Sequence, residues 1–244
     1  MVAVIGVIGG SGLEKLFPKG IWSTYKTPYG DVEFLETIVE GVKVYFVPRH
    51  GKEHTKPPHR VNYKGNIWFF KSKNVKYVIA TNAVGSIRKM LKPGMVVILG
   101  DVIDFTKRRN TTFFEYKPVH VDVTNIFCPE LVKVLIEASE NVLGYALSDV
   151  TIVVTEGPRF ETPAEIRMFS ILGADVVGMT TMPEAVLAKE LNLCYAGLAM
   201  ITNFAAGLQE KVSAEEVYDV AKKVSKKVYR VIVEAIKLLK KKRS

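Results

Sequence analysis

The sequence predicts an α/β fold, and three observations carry that expectation. Apolar runs of strand length recur at residues 2–8, 75–80, 95–99, 151–155, 174–178 and 193–201. Several end in turns rich in glycine or hydroxyls, as the first does at Gly9-Gly10-Ser11-Gly12. Between them lie segments with helical spacing and helix-start chemistry. A chain of 244 residues suits one domain, 1–244, large enough to bury a core without staples.

The elements follow in order. Residues 2–8 form a buried strand that enters the glycine turn. Residues 32–39 and 42–48 flank Glu40-Gly41 as a hairpin, and the second strand ends at Pro48-Arg49-His50-Gly51. Residues 62–71 form a helix that buries Ile67, Trp68 and Phe70. Strand 75–80 ends in the turn Thr81-Asn82-Ala83-Val84-Gly85-Ser86, and Pro93-Gly94 marks the turn before strand 95–99. No period shows in residues 104–127, where the cluster Phe113, Phe114, Tyr116 has no evident core role. Long irregular segments in compact domains are usually functional or disordered. A helix spans residues 128–142. Thr162 precedes Pro163 with Glu165 three residues on, and Thr181, Pro183 and Glu184 repeat the pattern. Each is a capping box with proline in the first turn. Ser213 with Glu216 caps a last, long helix striped by Val217, Val220, Val224, Val228, Val231, Ala235 and Leu238.

The formal charge of +9 sits at one end of the chain. Residues 222–244 hold ten Lys/Arg against the single acid Glu234, so the rest is neutral. A basic balance generally suggests nucleic acid. Here no aromatic interleaving or reader motif accompanies it, and a solvated helix face accounts for it. Cys128 and Cys194 lack metal-ligand spacing and read as small core residues of a reduced compartment. The first residues lack a basic leader pattern and no apolar run reaches membrane length. The expectation is a cytoplasmic protein with no membrane and no nucleic-acid partner. A single glutamine, Gln209, among abundant lysine leans towards a heat-adapted source.

The chemistry concentrates at strand ends. Strand–turn–helix junctions expose backbone N–H groups that hold anions, although a capped helix also needs no ligand. The glycine turn allows close backbone approach and Ser11 adds a hydroxyl, yet the dinucleotide fingerprint is incomplete. Arg49 offers a planar fork and His50 a further donor to an oxyanion, or both simply occupy a surface turn. His54 and His59 stay unassigned in their polar loop.

The wording of residues 156–183 goes further. EGPRFET, then GADVVGMTTMPE, then Ala199-Met200-Ile201-Thr202-Asn203 resembles the trimeric purine nucleoside phosphorylase and methylthioadenosine phosphorylase family, over most of the chain and in the family's motif order. The resemblance implies a mixed, twisted central sheet, partly barrel-like, flanked by helices. It implies that the GGSGL turn with Ser11 and the Arg49-His50 pair hold phosphate, with Asn82 and the amide of Ala83 in the T-N-A-x-G turn and Thr180 before the second capped helix. His120 falls where the family supplies a ring from the neighbouring subunit to close the sugar pocket, in a homotrimer or dimer of trimers.

If the strands share one sheet, these residues make an anion pocket beside a flat one. Phe160 and Met179 would cover ring faces, and Glu161 and Asn203 would read ring edges. That pairing suits phosphorolysis of an N-glycoside, with inorganic phosphate as co-substrate and no cofactor or metal. Asn203 and His50 are the catalytic candidates. Methylthioadenosine phosphorylases carry an aspartate at the Asn203 position, a second acid at Ala205 and a serine at Glu161. Glu and Asn resemble the enzymes that act on inosine and guanosine, and ionised Glu161 accepts from the N1–H that a 6-oxopurine has and adenine lacks. At the sugar end Ala214 stands where the 5′-hydroxyl enzymes carry a histidine, and TTMPEAVLAKE leans to the methylthio branch. The expectation is a 6-oxopurine nucleoside phosphorylase of purine salvage that accepts a 5′-methylthio group. The alternatives are a methylthioadenosine phosphorylase and a non-catalytic nucleotide-binding regulator. A nucleoside hydrolase would need an Asp-rich calcium cluster that the sequence lacks.

Overall fold

The computed structural model describes residues 4–10 and 13–242. Ser11 therefore lies outside the described residues. Nine strands form one mixed sheet in the order β2-β3-β4-β1-β5-β8-β7-β6-β9, and a further β5–β9 pairing closes the last five into a barrel. β1 (Ile5–Gly9) sits between β4 (Val42–Pro48) and β5 (Tyr77–Ser86), parallel to both. β2 (Ile21–Thr27) and β3 (Gly30–Val39) extend the open edge as an antiparallel ribbon. In the barrel stand β6 (Val96–Phe105), β7 (Val150–Thr155), β8 (Val176–Gly178) and β9 (Cys194–Phe204). The β3–β4 turn is the expected one, with both Glu40 (φ 52°) and Gly41 (φ 73°) left-handed, as a two-residue hairpin requires.

Alternating side chains feed two cores, one on each face of the sheet. Ile5 and Val7 of β1 join the core beneath α2 (Pro129–Leu143) and α5 (Ala214–Lys241), whereas Ile8 joins that beneath α1 (Tyr63–Ser72) and α4 (Thr181–Glu190). A third cluster packs Ile166 and Phe169 of α3 (Pro163–Ile171) on Val153, Val177 and Ala205. The α5 stripe is centred on Val224, Val228, Val231 and Ala235, all buried, while Val217, Val220 and Leu238 at its ends are half-buried. Among the described residues no helix is long and apolar enough to cross a membrane.

Four expectations are corrected. Thr81 to Ser86 is no turn but the second half of β5, which pairs with β9 through Phe204 across a bulge at Val84/Gly85. Parallel pairing with β9 satisfies that backbone, so the glycine relieves crowding instead of ending the strand. Glu184 closes no capping box: Thr181 is itself helical, Met182 departs from helical torsions (φ −107°, ψ 138°), and the Glu184 carboxylate is fully buried on Arg49. Cys128 and Cys194 form a disulfide; the Cys128 N–H donates to the Tyr195 carbonyl, which brings the start of α2 onto β9. Paired in this way, the two cysteines give no sign of a reduced compartment. Phe113 does have a packing role, with its ring 5.2 Å from Tyr29 and 6.1 Å from Trp68.

Candidate active site

The parallel strands β1, β4 and β5 deliver Gly10, Arg49-His50 and Thr81–Gly85 to one side of the sheet, where α/β proteins bind ligands. A cavity of about 180 Å³ there is lined by Arg49, His50, Ala83, Phe160, Glu161, Met179, Thr180, Asn203 and Ala205. These nine, all sequence-predicted, come from five separate segments of the chain; His54, Pro58, Val177, Val212 and Val217 are among the lining residues that were not predicted. Ala83 is exposed in a strand whose other residues are buried, and it lines the cavity. Ala214 lines the adjoining mouth with Pro58, Phe160, Met179 and Val217.

Arg49 is 2 % exposed and grips Glu184 through both Nε (2.8 Å) and Nη2 (2.7 Å), while Nη1 donates to the Thr81 carbonyl at 2.6 Å. Burial alone would lower this guanidinium's pKa, and the Glu184 carboxylate more than reverses that. Three of its five N–H groups are thus engaged, and two remain for an anion. Tyr195 also donates to Glu184 Oε1 at 2.8 Å. Glu184 is the functional residue that capping chemistry concealed; no local signal distinguishes the two roles.

His50 differs from its expected role. Its Nδ1 lies 2.8 Å from the Lys56 carbonyl, so Nδ1 carries the hydrogen and Nε2 presents a lone pair. Burial first, and Arg49 second, hold the ring's pKa down to about 4. A neutral ring in this tautomer accepts a hydrogen at Nε2, so it suits an oxyanion that brings its own proton. Asn82 is buried, does not line the cavity, and donates from Nδ2 to Thr180 Oγ1 at 3.0 Å. That bond leaves the Thr180 hydroxyl hydrogen free to donate into the cavity. Asn82 therefore bears on the cavity through Thr180.

At the flat pocket, the Thr155 hydroxyl donates to Glu161 Oε1 at 2.6 Å. Burial raises the Glu161 pKa above the ordinary carboxylate value, with the Thr155 bond opposing it. Asn203 is oriented twice over: Thr202 Oγ1 donates to its Oδ1 (2.8 Å) and its Nδ2 donates to the Phe204 carbonyl (2.8 Å). One Nδ2–H and one Oδ1 lone pair stay available. A Cβ on Gly85 would stand 3.2 Å from that Nδ2, so glycine gives the amide its room. The EGPRFET loop is held by the expected box, Thr162 Oγ1 accepting from Glu165 N and the Glu165 carboxylate from Thr162 N. His120 is exposed and outside this cavity. Among the described residues no cluster of three metal-ligating side chains occurs.

Comparison with known proteins gives this geometry its family. The model described as Phosphorylase superfamily matches residues 4–237. A probable S-methyl-5′-thioinosine phosphorylase of Methanopyrus kandleri is 46% identical over 243 residues, spanning 98% of this chain and 94% of the relative. The 6-oxopurine nucleoside phosphorylase of Pyrococcus furiosus is 47% identical over 251 residues, with 98% and 94% covered. Among solved structures, the Schistosoma mansoni methylthioadenosine phosphorylase in complex with tubercidin superposes with a TM-score of 0.91 at 31% identity, covering 97% of this chain and 91% of that one. With its closed barrel and the convergence of its strand-end motifs on one cavity, the chain belongs to the phosphorylase superfamily.

Proposed function

We propose that the protein cleaves 6-oxopurine nucleosides with inorganic phosphate, releasing the free base and a pentose 1-phosphate, and that it accepts a 5′-methylthio group on the sugar. The observation that carries this is the presence of Glu161 and Asn203 in the same cavity as Arg49, Ala83 and Thr180. Relatives named 6-oxopurine nucleoside and methylthioinosine phosphorylases support it. Phosphate binds to the two spare Arg49 N–H groups, the Thr180 hydroxyl and the Ala83 amide, and its own proton meets His50 Nε2. As the glycosidic bond breaks, charge grows on the base; Asn203 donates to it while Glu161 accepts from N1–H. The protein positions the phosphate and stabilises the departing base, and neither a cofactor nor a metal takes part.

Ala214 and Val217 at the mouth favour a thioether over a hydroxyl at the 5′ position, since neither side chain can pair with an O–H. A homotrimer in which His120 closes a neighbour's sugar pocket completes the proposal, and purine salvage in the cytoplasm is its setting. The second reading, a methylthioadenosine phosphorylase, draws on the same apolar mouth and on the Schistosoma mansoni structure. The test is release of free base from inosine, methylthioinosine and methylthioadenosine, with and without phosphate. Phosphate-dependent hypoxanthine release from the first two, well ahead of adenine release, is expected. Adenine release in the lead would transfer the assignment to the second reading, and binding without release would make the protein a regulator.

A further inference from the structure

We propose that Arg109 is the positioning residue of this site, one buried guanidinium that sets the spacing between the segment bearing Glu161 and the segment bearing Thr180. The proposal rests on the function inferred above. Arg109 lies in the irregular stretch between β6 and α2, where no periodicity marked it. Its side chain is only 2 % exposed. The two N–H groups of Nη1 are shared among the Met179 carbonyl (2.6 Å), the Met182 carbonyl (2.7 Å) and the Tyr63 hydroxyl (3.0 Å). Nη2 donates to the Glu156 carbonyl (2.7 Å) and more weakly to that of Thr155 (3.3 Å). The Glu156 carboxylate stands 3.4 Å from Nε.

These partners matter because of what they adjoin. Thr155, held by its carbonyl, donates its hydroxyl to Glu161. Met179 lines the cavity and Thr180 follows it. Tyr63, which Arg109 contacts, donates onward to the Pro58 carbonyl at 2.9 Å, and Pro58 lines both the cavity and its mouth. One side chain therefore ties together three segments of the wall. The stretch that carries it is fixed in turn by Glu190, which accepts from Thr112 Oγ1 (2.6 Å) and Phe113 N (2.7 Å).

A buried cation satisfied mostly by carbonyls is an expensive way to stabilise a fold, and apolar replacements often do as well. A planar fork with several directed N–H groups is, however, well suited to hold separate backbone segments at fixed distances. Arg109 does not line the ligand cavity. It lines a second one of about 490 Å³, on the side of Tyr63 and Lys64, through which a small cation can reach its place.

The experiment compares R109K and R109A with the wild type in steady-state phosphorolysis of inosine. Misplacement on the ångström scale costs up to about 100-fold, so R109K is expected to lose about 10- to 100-fold in kcat/KM, largely as a raised nucleoside KM. Added guanidinium at non-denaturing concentration should restore part of the loss in R109A and none in R109K, where lysine fills the space. A purely structural role would instead lower kcat through fewer folded molecules, with both KM values unchanged; that result, or wild-type constants in R109K, overturns the proposal. R109A that fails to fold leaves R109K to decide. Wild type that releases no base from any nucleoside overturns the functional inference, whereas active wild type matched by R109K removes Arg109 alone.

Discussion

In the proposed function Glu161 reads the N1 edge of the base. Burial raises its pKa, so the ionised form that accepts from N1–H is lost at a higher pH than for an ordinary carboxylate. As pH falls, protonated Glu161 becomes a donor, which no longer suits the N1–H of hypoxanthine but does suit the bare N1 of adenine. The ratio of kcat/KM for adenosine to that for inosine is therefore expected to rise on acidification. Asn203→Asp combined with Glu161→Ser should favour adenine nucleosides at neutral pH, by up to roughly 10⁴-fold relative to wild type. A ratio that ignores both pH and the double substitution would refute the base-edge assignment. Arg49 calls for a gentler probe than truncation: removing it strands the Glu184 carboxylate without its partner, a loss of about 3–5 kcal/mol. Arg49→Lys keeps the charge and isolates the anion contact. At this scale the residue types of the site were legible through the motif wording around Arg49, Glu161 and Asn203, since Arg49-His50 taken alone also fits a surface turn. Their hydrogen-bond roles were not: His50 as acceptor, Asn82 acting through Thr180 and Glu184 as counter-ion each depend on a partner distant in sequence or on a tautomer.

Elements were legible where local chemistry decides them and misread where pairing does. The hairpin at Glu40-Gly41, the box at Thr162 and the Ser213 cap are set within a few residues of themselves. β2 does not stand out in the sequence because it is an edge strand with four of its seven residues exposed and none buried, and its apolar content is thin. The continuation of β5 through Thr81–Ser86 needed β9, a partner more than a hundred residues away. The disulfide is the same kind of fact: Cys128 and Cys194 are 66 residues apart, and no spacing rule joins them. It ties the first turn of α2 to the start of β9, the strand whose far end bears Asn203. A link closing a loop of that length stabilises by about 2–4 kcal/mol. Replacing both cysteines by serine is expected to lower Tm while leaving kcat at room temperature near wild type, because β9 remains paired with β5 over ten residues. Differential scanning calorimetry and the standard assay check the two halves. An equal Tm in reduced and oxidised protein would show that the link contributes nothing.

On the scale of the whole molecule, one face is conspicuous. Tyr116 is fully exposed, and Val119 and Val123 are more than a third exposed, all on the stretch that carries exposed His120. The same stretch turns inward at Arg109 and Phe113 to grip its own domain, so its outward residues are held in place by a fixed base. Exposed apolar side chains grouped in this way suit contact with another chain, and the proposed trimer supplies it. Because a ring of identical subunits makes each site from two chains, it permits complementation. His120→Ala alone should impair every site, and Asn203→Asp should impair every inosine site through its own pocket. Subunits that are mixed and reassembled put some intact pockets beside intact histidines, and roughly a quarter of the sites in statistically mixed rings would be whole. Inosine cleavage is thus expected to recover on mixing two poorly active proteins, and to fall again on dilution below the assembly threshold. Light scattering follows the assembly and base release follows the sites. Mixed proteins that stay as inactive as their parents, while scattering shows that they exchange, would return the sugar pocket to a single chain and leave His120 an ordinary surface residue.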